Sequence, residues 1–358
     1  MKQPTLAIVV TLVVAGLLAF ALWGWMKTQT AQNEAEEFKV GCDPAFVPVR
    51  DQMARSVHDL NLPGGALLLV WKGKPVCETY FESFDEHTTV PIVSAAKWLS
   101  AATILTLVDE GKLALDDRVS KYLPYFTGDK STITLRQLLS HTSGFPDYSS
   151  CMFQKELTLE ACAREIATLQ LISLPGDLFY YGGAAFTVAG RMAEVASGKS
   201  WAELFETRIA KPLGLTDTNY GETENPLLSE GYTISSLRDY GRFLKMIFNQ
   251  GISHGRRVLS ANSIAEMQKD QTVGAEIGFS PRDPHIKYGL GVWLDSIGAK
   301  GSASEISCPG ARGFVPWIDF DRNLIGIFMV SDSIDRVWNA VREVQQKTRE
   351  IIDSQTKP

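Results

Sequence analysis

The chain has 358 residues, 45% of them hydrophobic and 21% charged, values of a globular protein with room for one large domain or two ordinary ones. Its net charge of −6 comes without a basic stripe, which argues against nucleic acid or any polyanion as a partner. The five cysteines (Cys42, Cys77, Cys151, Cys162, Cys308) lack C-x-x-C and Cys/His metal spacing, so no metal or other cofactor is expected; an exported domain could form one or two disulfides with at least one thiol left over.

Thr5 to Met26 is an uncharged run of 22 residues, long enough at about 1.5 Å per residue to cross a hydrocarbon core. Trp23 and Trp25 resemble an interfacial belt. A cleaved signal peptide is the rival, but the run exceeds a usual apolar signal region, which favours an uncleaved transmembrane helix. The expectation is a single-pass membrane protein whose domain lies on the periplasmic or extracytoplasmic side. Residues 27–41 read as a polar tether, so 1–41 would be anchor and tether and 42–358 one folded domain.

Within that domain Phe46, Val49, Met53 and Val57 recur at helical spacing up to about Leu60. Two apolar runs around Lys72-Gly73-Lys74 read as a hairpin. An apolar helix follows from near Ser94 to near Glu110, between Pro91 and Gly111. From about 112 to 235 the pattern is helical, broken by proline and glycine, with further helices at 235–249 and 260–269. Strands return at 289–294, 304–308, 314–320 and 324–330, before a final helix from Asp335. Strands at both ends and helices between predict an α/β fold of the α+β type. One antiparallel sheet would be built from both chain ends and flanked by helices, a helical subdomain would be inserted, and a cleft would lie between the lobes.

Ser94 and Lys97 stand one helical turn apart, so a lysine amine can sit beside a serine hydroxyl. A serine hydroxyl is a weak nucleophile that needs a base within reach, and a partly desolvated lysine is one solution. At a helix start the free N–H groups also favour an oxyanion. The same pattern arises when serine merely caps a helix and lysine is solvated.

Other segments fall into order with this one. They are Leu138-Leu139-Ser140-His141-Thr142-Ser143-Gly144-Phe145, Pro175-Gly176-Asp177-Leu178-Phe179-Tyr180-Tyr181, Ser235 to Tyr240, Val258-Leu259-Ser260, Tyr288 to Gly291, and Gly310-Ala311-Arg312-Gly313-Phe314. Over nearly all of residues 45 to 345 the chain resembles the serine β-lactamase-like proteins: class C β-lactamases, related esterases, D-aminopeptidases and penicillin-binding proteins. The resemblance implies a β-lactamase/transpeptidase-like fold and a serine hydrolase forming an acyl-enzyme on Ser94. It makes Lys97 and Tyr181 the proton-transfer partners, the Tyr181 phenol having a proton affinity lowered by the nearby ammonium. The Ser94 and Ala311 N–H groups become the oxyanion hole, with Cys308, Gly310 and Arg312 beside the substrate. His141 and Tyr180 read as structural.

Two departures bear on substrate: Gly183 stands where the family usually has Asn, and Cys308 where it usually has Lys or His. Arg312 is a candidate replacement for the missing cation, against the plainer reading of an exposed arginine. Pro309 is tolerable if N–H groups 309 and 311 both face the cleft, because no ladder bond is then lost. The expected partner is a small-molecule or peptide-like ester or amide, hydrolysed with weak or no true β-lactamase activity. A degenerate binding protein for peptide or cell-wall fragments, and an acyl transferase, are the alternatives.

Overall fold

Lys72 and Gly73 turn the chain between its two apolar runs, both at positive φ (51° and 78°), the geometry of a tight hairpin with the right twist. The computed structural model describes residues 38–229, 232–298 and 301–356. Strand β1 is Gly41–Cys42, and the hairpin is β2 (Gly64–Trp71) and β3 (Lys74–Glu82). From the other chain end come β4 (Lys287–Tyr288), β5 (Trp293–Ile297), β6 (Ala303–Ser307), β7 (Phe314–Asp319) and β8 (Leu324–Met329). All join one antiparallel sheet in the order β1-β3-β2-β8-β7-β6-β5-β4. The two ends meet where β2 pairs β8, Leu68 opposite Ile327.

Strand β2 is apolar throughout because both its faces are covered. Leu67 and Leu69 pack with α1 (Val47–Asp59) and the C-terminal helix Ile334–Thr356. Leu68 and Val70 point the other way, toward α2 (Ala96–Asp109) and the helix Leu237–Phe248. Twelve of the fourteen residues of α2 are buried, since the inserted helices, including Leu159–Thr168 and Ala184–Ser197, enclose its far side. This α2 is the spine between the lobes. A fully buried carboxylate, Glu78 of β3, ties the sheet to the Leu237–Phe248 helix by accepting from Arg238 Nε and Tyr80 Oη, each at 2.6 Å.

The β-lactamase/transpeptidase-like α/β arrangement expected from the sequence is present, and three details differ. Short strands Thr89–Pro91 and Ile234–Ser236 pair with each other, and Leu178–Tyr180 pairs parallel with Glu276–Phe279; three or four residues carry no periodic signal of their own. The N-terminal expectation also changes, because Phe38, assigned to a polar tether, is buried against the core. The transmembrane helix, and the single-pass membrane location drawn from it, are corrected: among the described residues no helix is long and apolar enough to cross a membrane. The run 5–26 lies outside the described residues.

Two disulfides form, Cys42–Cys77 and Cys151–Cys162, leaving Cys308 free and buried. The first closes a loop with a sequence separation of 35 and fastens β1 to β3. Replacing both Cys42 and Cys77 by alanine is expected to lower unfolding stability by roughly 2–4 kcal/mol, measured by urea unfolding with midpoint and slope both fitted, because the unfolded chain without the cross-link exposes more surface.

Candidate active site

The turn before α2 is held in a conformation its sequence would not choose. Val93 lies at φ +48°, a region that a β-branched residue avoids and that costs on the order of 1–3 kcal/mol. The chain then passes through a 3-10 segment, Val93–Ala95, directly into α2. Side chains from elsewhere take the carbonyls of this turn: the Cys308 thiol donates to Ser94 O at 3.2 Å, Tyr240 Oη to Ala95 O at 2.8 Å and Tyr220 Oη to Ala96 O at 3.4 Å. Behind it Gly310 admits no side chain, because a Cβ would lie 2.2 Å from Ile92 O. The Ser94 hydroxyl performs no capping; α2 has Ala95 at its N-cap without a side-chain hydrogen bond, and Ser94 lines the cleft instead.

Lys97 is fully buried, with Nζ 3.4 Å from Ser94 Oγ, donating to Ser229 O at 2.8 Å and standing 4.5 Å from the Tyr181 ring centroid. Among the described residues no carboxylate pairs with it, so a carbonyl, a hydroxyl and an aromatic face supply its polar surroundings. Tyr181 is buried and stacked on Trp293, ring centroids 5.1 Å apart. Burial pushes its phenol up, and the Lys97 charge with hydrogen bonding from Ser94 and Lys97 opposes this without reversing it. The sequence-based expectation of a lowered proton affinity therefore changes: desolvation outweighs the cation, and Tyr181 rests as the neutral phenol.

His141 orders the tyrosine loop. At φ +59° it accepts the Gly182 N–H at Nδ1 (3.4 Å), so its Nε2–H is directed to Tyr288 Oη (3.2 Å), and its carbonyl accepts from Tyr180 N at 2.9 Å. Burial, and then the Lys97 charge, hold the imidazole well below its ordinary range. A neutral ring with both nitrogens engaged is a support.

On the sheet side, Cys308 N donates to Pro316 O at 3.2 Å and Gly310 N to Phe314 O at 2.8 Å. Positions 309 and 311 therefore face away from β7, and Pro309 sits where no ladder bond is needed. Ser94, Gly310 and Ala311 line one cleft of about 800 Å³, and among the described residues no backbone carbonyl accepts from Ser94 N–H or Ala311 N–H. The arrangement can receive an oxyanion.

Cys308 and Arg312 are placed differently from the three residues just named. The Cys308 thiol is buried behind the Ser94 turn, pushed up to about 12 by burial against the pull of Lys97, and thus stays an S–H donor. Arg312 is exposed and does not line the cleft. A cation that reaches the end of β6 in the cleft is Arg282, which donates to Ser307 Oγ at 3.0 Å and pairs with Asp295 at 2.7 Å. Sequence reading passed over Arg282, which lies in an irregular loop, and Asp147, which enters the cleft beside Tyr181. The Gly182-Gly183 pair is the one signal for Asp147: a Cβ on Gly182 would meet the Asp147 main chain at 2.4 Å.

Comparison with known proteins extends the geometry. The model of the family described as Beta-lactamase matches residues 49–343. A solved structure from Bacteroides dorei DSM 17855, provisionally described as a beta-lactamase, is 34% identical with a TM-score of 0.79, covering 87% of this chain and 100% of that one. Among curated relatives, Protein flp of Staphylococcus aureus strain N315 is 31% identical over 47% of this chain and 37% of its own length. The D-alanyl-D-alanine-carboxypeptidase/endopeptidase AmpH of Escherichia coli K12 is 30% identical over 44% and 45% respectively. The chain thus spans less than half the length of these curated relatives.

The burial of His141 makes stability pH-dependent. Its folded pKa is depressed, so as pH falls below the ordinary value of 6.5 the unfolded chain takes up a proton that the native chain refuses. This contribution is complete above that pH and is lost below it at up to about 1.4 kcal/mol per pH unit. Urea unfolding at pH 7 and pH 5.5 is expected to show a larger loss for the native protein than for His141→Asn, whose side chain also tolerates positive φ; parallel losses would remove this role.

Proposed function

Because the chain belongs to the beta-lactamase family of hydrolases, we propose that it is a serine hydrolase acting on an ester or amide through an acyl-enzyme on Ser94. The observation that carries this reading is the buried Lys97 Nζ at 3.4 Å from Ser94 Oγ, on a cleft that also holds Tyr181 and Ala311. Ser94 Oγ adds to the substrate carbonyl carbon while its proton passes to the Lys97–Tyr181 pair in the form that has first released one proton to solvent. The oxyanion is received by the Ser94 and Ala311 N–H groups. Collapse expels the alcohol or amine with that proton, and water then adds to the acyl carbon, releasing the acid and restoring the serine. A fluorophosphonate probe is expected to label the native protein and not Ser94→Ala; an unlabelled native protein would favour a binding module.

Substrate preference follows from what the cleft lacks. Gly183 provides no amide, and the Cys308 side chain is turned toward Ser94 O instead of a substrate carboxylate. Each missing oriented or charge-assisted hydrogen bond is worth roughly 1.5–3 kcal/mol. Short-chain nitrophenyl esters need neither contact. The expected outcome is a kcat/KM for such an ester about two orders of magnitude above that for a chromogenic cephalosporin. Equal cephalosporin turnover, lost in Ser94→Ala, would mean that another cation, with Arg282 the first to test, does the work expected of the family lysine.

A further inference from the structure

The cleft contains one carboxylate that the reaction above does not use. Asp147 lines it together with Ser94 and Tyr181, and among the described residues its side chain has no hydrogen bond or ion pair. Its position is nevertheless fixed. The Asp147 carbonyl accepts from Gly183 N at 2.7 Å and Ala184 N at 3.1 Å at the start of the helix Ala184–Ser197, and Gly182 packs so closely that a Cβ there would lie 2.7 Å from Asp147 Oδ1. A half-buried anion held this tightly without a partner is desolvated for no structural return. Burial raises its pKa while the Lys97 charge opposes the rise, which puts the carboxyl within electrostatic reach of the catalytic lysine.

Carboxylates predominate among the remaining charges of the cleft. With the Arg282–Asp295 and Arg349–Glu305 pairs set aside, the lining holds three carboxylates, Asp147, Asp283 and Asp335, against one guanidinium, Arg342. Cys308 stands where the resemblance places a cation for a substrate carboxylate, and Arg282, which reaches Ser307, is already paired with Asp295.

Resting on the acyl-enzyme reading, we propose that Asp147 is the amine-recognition residue of this cleft, accepting the ammonium group of substrates that carry a free amine beside the scissile carbonyl. Its carboxylate pairs with the substrate ammonium in a partly dehydrated site, where a charge-assisted bond is stronger than in water. The preferred substrates are aminoacyl esters or amides with an unblocked amino group.

The test compares alanine methyl ester, as D and L forms, with methyl isobutyrate, in which a methyl group replaces the ammonium, by kcat/KM from methanol release. The native protein is expected to prefer one alanine ester, and Asp147→Asn to reduce that preference roughly 10- to 100-fold. The asparagine retains the main-chain carbonyl that Gly183 and Ala184 need. No preference in the native protein, a preference unchanged in Asp147→Asn, or an equal fall on both esters would overturn the assignment. Binding of alanine amide and isobutyramide to Ser94→Ala, read by ligand-observed NMR with and without Asp147→Asn, tests recognition without chemistry. Failure of the acyl-enzyme reading shows separately, as absence of fluorophosphonate labelling in a protein that still distinguishes the two amides.

Discussion

The close approach of the Gly310 segment to Ile92 is the constraint on which the rest of the site depends. A Cβ at 310 would stand 2.2 Å from the Ile92 carbonyl oxygen, so sheet and helical lobe touch there through backbone alone. That contact brings the Ala311 N–H to the cleft that Ser94 lines, and it brings Cys308 close enough to donate to Ser94 O. The positive φ of Val93 is tolerated because these neighbours over-determine the turn. Fold stability is thereby converted into the position of Ser94.

Burial of Lys97 is the second consequence of bringing the lobes together. Its amine is sealed among Ser229 O, Ser94 Oγ and the Tyr181 ring, and its field acts on the surrounding groups. It lowers the proton affinity of His141 in concert with burial and opposes burial at Tyr181, Asp147 and Cys308. At all four groups desolvation is the larger effect; the lysine adds to it at His141 and is the counterweight at the other three. Tyr181 and Cys308 thus rest in their neutral forms beside the Lys97 charge.

Replacement of the family cation by Cys308 changes more than one residue. The side chain at 308 faces inward, so a thiol there becomes a hydrogen-bond donor to the nucleophile's own carbonyl. Arg282, which reaches Ser307, is neutralised by Asp295, and the Asp147 carboxylate enters the same cleft without an ion pair.

Local order and pattern were legible in the sequence. The Lys72-Gly73 turn, the apolar strands Gly64–Trp71 and Leu324–Met329, the helix after Pro91 and the Ser94–Lys97 spacing follow from side-chain period and turn chemistry, which act over a few residues. The resemblance supplied Tyr181 and Ala311, and strand alternation, taken with that placement of Ala311, accounted for Pro309. What only tertiary structure decided depends on residues far apart in sequence: the net direction of the Tyr181 shift, the inward thiol of Cys308, the exposure of Arg312, and the entry of Asp147 and Arg282 into the cleft. Desolvation and charge compensation are sums over everything packed around a group, and no window of sequence contains that sum.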